Sequence, residues 1–255
     1  MRRRWIADTW SPPTGRPTHA ALTGDQAAHL GRVLRAQPGQ IFDVVANGFL
    51  HRAEVTEVRA ASTGEDAQVL FTLHEELTAD AALPIHLLLA VFKFDRFEWA
   101  VEKATELGVA RITPVLARRT EKHLALASAK RAERWHRIAL EASQQSRRAD
   151  VPEVLAPTPL AAALTLETAP ARILLSETEQ SLTLASALAP NLQPATGNRQ
   201  PLALAIGPEG GWTPQEMSLF ATHAWTPVTL GPRILRAETA AIAALSIASA
   251  LTTNN

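Results

Sequence analysis

A chain of 255 residues with 46% apolar and 20% charged residues has the length and composition of a globular protein of one large or two modest domains. It has no cysteine, which excludes disulfides, thiolate metal sites and cysteine nucleophiles. The formal net charge is zero, no apolar run approaches the roughly 18 to 20 residues that span a bilayer, and Met1-Arg2-Arg3-Arg4-Trp5 lacks a signal peptide's apolar stretch, so a cytoplasmic location without membrane contact is expected.

In chain order, residues 1–77 read as a small β-rich domain. His29, Arg32 and Arg35 stand ahead of a Pro38-Gly39 turn. Strands are expected over 41–46, 51–59 and 67–74, in β-branched or alternating runs, and Asn47-Gly48 is a strong hairpin signal between the first two. A polar and alanine-rich stretch ending at Pro84 marks the boundary. Over 78–255 the pattern alternates: strand 85–91, helix 95–107, strand 111–116, helix 128–146, strand 172–175, then strands 202–206 and 228–230, with a closing helix 237–251. That alternation predicts an α/β domain with a mostly parallel sheet and helices on both faces.

Helix 95–107 sets Phe97, Ala100, Val101, Ala104 and Leu107 toward the core and Glu98, Glu102 and Glu106 on another face. Such a like-charge ladder costs about a few tenths of a kcal/mol per pair unless cations from elsewhere meet it. Helix 128–146 turns Trp135, Ile138, Ala139 and Ala142 inward and Lys130, Arg131, Arg134 and Arg137 outward, so salt bridges between the two helices are one expected use of these charges. The zero net charge hides an uneven distribution. Between Arg111 and Arg148 ten Lys and Arg residues meet three acids, and Arg2, Arg3, Arg4, Arg16, Arg32, Arg35 and Arg52 form a second basic concentration. Basic clusters of this kind are the electrostatic footprint of nucleic-acid binding.

Two glycine-proline loops carry the strongest site signal. Ile206-Gly207-Pro208-Glu209-Gly210-Gly211-Trp212 follows one apolar strand, and Leu230-Gly231-Pro232-Arg233-Ile234-Leu235-Arg236-Ala237 follows the next. Both lie at the carboxyl ends of expected parallel strands, where open α/β sheets bind ligands. Glycine lets a ligand approach the backbone and proline fixes the turn. Thr213-Pro214-Gln215-Glu216 is a capping box that satisfies its own helix, leaving a phosphate little to bind. Glu238 falls in the first turn of helix 237–251, a favourable place for a carboxylate.

Several chemistries drop out. There is no Gly-x-Gly-x-x-Gly after the first α/β strand, no Walker A sequence and no Gly-x-Ser-x-Gly elbow. The eight histidines (His19, His29, His51, His74, His86, His123, His136 and His223) have no metal-ligand spacing, so no metal is expected. What remains is a compact ligand with few phosphates, held by backbone at strand ends beside a basic surface. S-adenosylmethionine fits: it has no phosphate, its adenine edge can be read by main-chain groups, and its sulfonium makes the methyl reactive.

The segments Lys93-Phe94-Asp95-Arg96-Phe97-Glu98-Trp99, Lys103-Ala104-Thr105-Glu106-Leu107-Gly108-Val109, Glu141-Ala142-Ser143-Gln144-Gln145-Ser146, Ile206 to Gly211 and Leu230 to Ala240 resemble those of the RsmE family, SPOUT-class methyltransferases of small-subunit ribosomal RNA. His29-Leu30-Gly31-Arg32-Val33-Leu34-Arg35 resembles that family's N-terminal domain. The resemblance implies a PUA-like β-barrel over 1–77, a trefoil-knot α/β domain over 78–255, a homodimer, and N3-methylation of a uridine of 16S rRNA in the small ribosomal subunit. It implies a cofactor pocket at Leu175, Ser176, Ile206, Gly207, Gly210, Gly211, Leu230, Gly231, Arg233, Ile234, Leu235 and Ala237. RNA contacts are expected at His29, Arg32, Arg35, Lys93, Arg96, Arg118, Arg147 and Arg148. The chain departs from the family at Arg147, where glycine is usual, and an altered local loop is the expected consequence.

Methylation at carbon 5 of a pyrimidine generally uses a cysteine adduct, which this chain cannot form. Methylation at N3 needs only loss of the imide proton and an in-line approach, so positioning is expected to dominate. Arg236 or Arg119 is expected to stabilise the uracil anion or its phosphate, and Glu238 or Glu209 to act as base or to orient an arginine. Two rival readings are an RNA-binding protein without catalysis and a methyltransferase of small molecules whose basic stripe is only surface.

Overall fold

A computed structural model of the chain describes residues 4–189 and 200–253. Arg2 and Arg3 of the expected basic cluster lie outside these residues. The chain divides into two units, Met1–Ala81 with Ser143–Asp150, and Ala82–Ala142 with Val151–Asn255.

The first unit holds β1 (Trp5–Ile6), β2 (Thr9–Ser11), β3 (His19–Thr23), α1 (Gly24–Ala28), a π-helical turn over His29–Val33, β4 (Ile41–Ala46), β5 (Phe49–Arg59) and β6 (Gln68–Leu77). The strands form one sheet in the order β1-β4-β5-β6-β3-β2, parallel between β1 and β4 and antiparallel elsewhere. The two edge strands are consecutive pieces of one stretch. Between them Ala7 N donates to Val45 O at 2.8 Å and Asp8 N to Ala21 O at 2.9 Å, so the sheet closes on itself. Asn47 and Gly48 join β4 to β5 with φ of 51° and 78°, the two positive values that a tight hairpin turn requires. Trp5, Leu22, Leu30, Val44, Val55, Val69 and Phe71 fill the interior. From the later segment, Ala149 packs with Val45 and Leu50.

The second unit holds β7 (Leu83–Ala90), α2 (Phe94–Glu106), β8 (Val109–Leu116), α3 (Lys122–Gln145), β9 (Glu153–Val154), β10 (Thr158–Pro159), α4 (Leu160–Leu166), β11 (Ala171–Leu175), α5 (Leu184–Leu188), β12 (Leu202–Ile206), α6 (Pro214–Thr222), β13 (Thr226–Val228) and α7 (Ala237–Thr253). Its sheet runs β10-β8-β7-β12-β11-β13, with β9 also on β8, and every pairing among the described residues is parallel. Alternation along the strands explains the two apolar layers. Ile85, Leu87, Leu89, Leu202, Leu204 and Ile206 face one core with α2, α3, α5 and α7, while Leu88, Ala90, Ala203 and Ala205 face another with α4 and α6.

Several element boundaries differ from expectation. α3 starts at Lys122 rather than 128, and β13 covers Thr226–Val228 rather than 228–230. Among the described residues β13 pairs only with β11, and an edge strand tolerates Pro227, which a central strand would not. The acidic ladder of α2 does find cations: Glu98 binds Arg131 at 3.0 Å and Arg134 at 2.8 Å, and Lys103 bridges Glu102 and Glu106 at 2.7 and 2.8 Å.

Candidate active site

Because the sheet is parallel, the chain leaves β7, β8, β11, β12 and β13 at one end. Three of these exits, residues 176–183, 207–213 and 229–236, are tied together. Trp212 Nε1 donates to Leu175 O at 3.3 Å. Ser176 N donates to Val228 O at 3.0 Å, Thr229 N to Leu182 O at 2.9 Å, and Leu184 N to Thr229 O at 3.0 Å. The first of these loops is braced from within. The Glu179 carboxylate accepts from Ser181 N at 2.8 Å, Ser181 Oγ at 2.7 Å and Leu182 N at 2.9 Å. The amide of Leu182, then the hydroxyl and amide of Ser181, hold that carboxyl down at about 2.

The loop after β12 leans on the exit of β8. Gly211 adopts φ of 69° and donates to Pro208 O at 2.8 Å, which turns the chain into α6. The expected capping box is present at Thr213 and Glu216. Glu216, buried, also accepts from Arg118 N at 2.7 Å, so the cap fixes the neighbouring loop as well. The Arg119 guanidinium donates to Gly210 O, and a Cβ on Gly210 would lie 3.2 Å from Arg119 Cδ. A Cβ on Gly207 would lie 3.2 Å from the Trp212 ring. Gly207 and Gly210 therefore serve close packing of the loop's own neighbours.

The loop after β13 is open in character. Thr229 Oγ1 accepts from Gly231 N and donates to Gly231 O, both at 3.1 Å. Gly231 has φ of 114°, and a Cβ there would meet no atom within 4 Å. From Arg233 to Thr239, among the described residues, no main-chain amide finds an acceptor within the chain; the first helical bond runs from Ala240 N to Arg236 O. Ile234 is 86% exposed. Free donors beside an exposed apolar side chain can meet a ligand that has both an apolar face and hydrogen-bond acceptors.

The charged candidates separate by environment. Arg96, in the first turn of α2, places Nη1 3.3 Å from Glu209 Oε1 and 3.6 Å from Glu238 Oε1. The Glu238 side chain is 8% exposed and its Oε2 has no hydrogen-bond partner among the described residues, whereas that of Glu209 is 38% exposed. Arg236 and Arg233 are exposed, with no ion pair among the described residues, as are Lys93 and Arg118. Ser176, expected to touch cofactor, spends its amide on Val228 and its hydroxyl on Thr178 Oγ1 at 2.8 Å.

Residues 79–249 match the family model described as the RNA methyltransferase domain, and residues 22–60 match the RNA methyltransferase PUA domain. The chain is 37% identical over 233 residues to the ribosomal RNA small subunit methyltransferase E of Synechocystis sp., covering 90% of this chain and 72% of that one. The chain belongs to the methyltransferase E family. A methyltransferase of Legionella pneumophila solved with bound cofactor SAM is 29% identical, with a TM-score of 0.80 over 98% of both chains. The ribosomal RNA small subunit methyltransferase E of Neisseria gonorrhoeae, bound to S-adenosyl methionine, is 28% identical with a TM-score of 0.75, again over 98% of both. This methyltransferase E relative thus has the expected architecture, a PUA-like β domain ahead of a SPOUT-class trefoil-knot α/β domain.

In the first unit His29, Arg32 and Arg35 are exposed around the π-helical turn, beside exposed Val33 and Leu34. Arg147 is exposed at φ of 62°, the left-handed region in which the family's glycine is at ease. Arg148, another expected RNA contact, has a different setting. Arg148 is buried, and its guanidinium donates to Asp150, so it is a structural ion pair rather than an open cation. The wider stripe also shrinks, because Arg131 and Arg134 bind Glu98, and Arg111 binds Glu153 at 2.7 Å. Glu179, Thr229 and the Arg118-to-Glu216 bond were missed in the sequence. A Thr two residues before Gly-Pro and a Glu two before Ser were the available signals, both of the local side-chain-to-backbone type.

Proposed function

We propose that this chain transfers a methyl group from S-adenosylmethionine to N3 of a uridine in 16S rRNA of the small ribosomal subunit, as a cytoplasmic homodimer. The observation that carries the reading is the run of partnerless amides from Arg233 to Thr239 beside Gly231, at the tied ends of three parallel strands. The methyltransferase E relatives and the solved neighbours with bound cofactor support it.

The residues present fit the cofactor. Gly231 opens onto space, Leu230, Ile234 and Leu235 offer apolar contact to a purine, and the amides of 233–237 can read its polar edge. Leu175, Ile206 and Gly207 stand at the carboxyl ends of the paired strands β11 and β12. When bound, S-adenosylmethionine supplies a methyl group on a positively charged sulfur. The protein's own task is to hold the uracil ring in line and manage one proton. Arg236, exposed and without an ion pair among the described residues, meets the uracil anion or its phosphate, while Arg119 is engaged on Gly210 O. Of the two carboxylates, Glu209 is open to solvent and accepts the N3 proton, and Glu238 is the buried counter-charge of Arg96.

Purified protein, S-adenosylmethionine and small subunits from a strain lacking the enzyme test this directly. Mass mapping of the digested 16S rRNA is expected to show one added methyl on a uracil N3. A methyl on carbon 5, on a ribose or on no nucleotide overturns the reading.

A further inference from the structure

Arg96 was expected at the RNA, yet its surroundings are those of an internal link. It stands in the first turn of α2, and its Nη1 lies within 3.3 Å of Glu209 and 3.6 Å of Glu238. These carboxylates belong to different segments, the loop after β12 and the first turn of α7. The Arg96 side chain is only 31% exposed. Among the described residues it is the one cation within ion-pair distance of Glu238. Glu238 keeps a second oxygen, Oε2, buried without a hydrogen-bond partner among the described residues. A buried carboxylate so sparsely satisfied is costly, and its one counter-charge therefore controls where it can sit. A guanidinium delivered to an RNA phosphate would leave both carboxylates behind.

We infer that Arg96 is a positioning residue for methyl transfer. Its guanidinium couples the two cofactor loops: through Glu238 it fixes the start of α7, where the partnerless amides lie, and through Glu209 it sets the direction of the proton acceptor. The planar fork of arginine can meet two carboxylates at once, which the point charge of lysine does less well. This inference rests on the reading of the chain as a uridine-N3 methyltransferase.

The test compares Arg96→Gln, Arg96→Lys, Glu238→Gln and the double variant Arg96→Gln/Glu238→Gln with the wild type. Calorimetry gives S-adenosylmethionine affinity, hydrogen exchange gives the order of 207–211 and 233–239, and salt titrations give RNA binding. In Arg96→Gln, cofactor affinity is expected to fall by about tenfold or more, the scale of coupling between contacting charged residues. Both loops exchange faster, kcat drops, and the RNA affinity and its salt slope stay put. Arg96→Lys recovers part of the cofactor affinity. The double variant regains thermal stability without regaining kcat, which separates positioning from simple folding. If wild type binds no S-adenosylmethionine, the parent reading fails. If wild type binds it and Arg96→Gln matches in affinity, exchange and kcat, Arg96 positions neither loop and the inference is overturned; if the variant loses a unit of RNA salt slope instead, Arg96 is a phosphate contact and the inference is likewise overturned.

Discussion

The indole Nε1 of Trp212 donates to the carbonyl of Leu175 at 3.3 Å, joining the loop after β12 to the end of β11. The same ring packs edge-on against Phe220, with 4.8 Å between ring centres. Trp212→Phe keeps an aromatic ring and deletes the bond, at a cost of about 0.5–1.5 kcal/mol. A lower melting temperature and weaker S-adenosylmethionine binding are expected, both measurable by calorimetry. Unchanged cofactor affinity would show that this tie does not shape the pocket.

Glu179 makes the first loop sensitive to acid. Its carboxyl sits at about 2, below the ordinary 4.5, because the Leu182 amide and the Ser181 hydroxyl and amide donate to the ionised form. A depressed value means the bracing is fully present above about pH 4.5 and is lost as the pH falls toward 2. Amide resonances of Ser181 and Leu182 should therefore titrate with a midpoint near 2. In Glu179→Gln that transition disappears and both amides exchange faster at neutral pH. A midpoint in the usual carboxylate range would mean that the three hydrogen bonds do not persist in solution.

Arg147 combines a left-handed backbone with an exposed side chain, at φ of 62°. Asparagine tolerates that backbone region better than most residues, so Arg147→Asn removes the charge without straining the turn. Stability is expected to stay within about 0.5 kcal/mol of wild type. If Arg147 meets a phosphate, the slope of log affinity against log salt falls by about one. An unaltered slope removes Arg147 from the RNA surface.

His51 lies on β5 at 3% exposure, opposite Val44, and neither ring nitrogen has a partner among the described residues. Replacing a buried polar group that makes no hydrogen bond by an apolar one of similar volume is neutral to stabilising. His51→Leu should leave the melting temperature unchanged or raise it by a few degrees, on the order of 1 kcal/mol. A clear drop in melting temperature would reveal a hydrogen bond of His51 that the structure does not display.

The strands were legible wherever pattern and length agreed. β4 and β12 fall on the residues expected for them, because a β-branched run before Asn-Gly and an unbroken apolar run before Gly-Pro leave few alternatives. The two-residue strands β9 and β10 have no period to detect. The loops were legible as a site because Gly-Pro pairs and a capping box are local signals. The pairing of Arg96 with Glu238 was not, since it joins two helices far apart in the chain that meet only once folded, and it leaves no mark on either segment. Charge composition misled in the opposite direction. Arg148 counted as a cation in the stripe, and only the buried contact with Asp150 reveals its partner two residues on.

The stretch from Trp5 to Ser11 borders the first sheet on both sides at once. Trimming it would strip two rims in a single cut, exposing the ladders of β4 and β3 to pairing with other molecules. A break near Asp8 would therefore weaken both rims together, because the two edge pairings hang on that one short stretch.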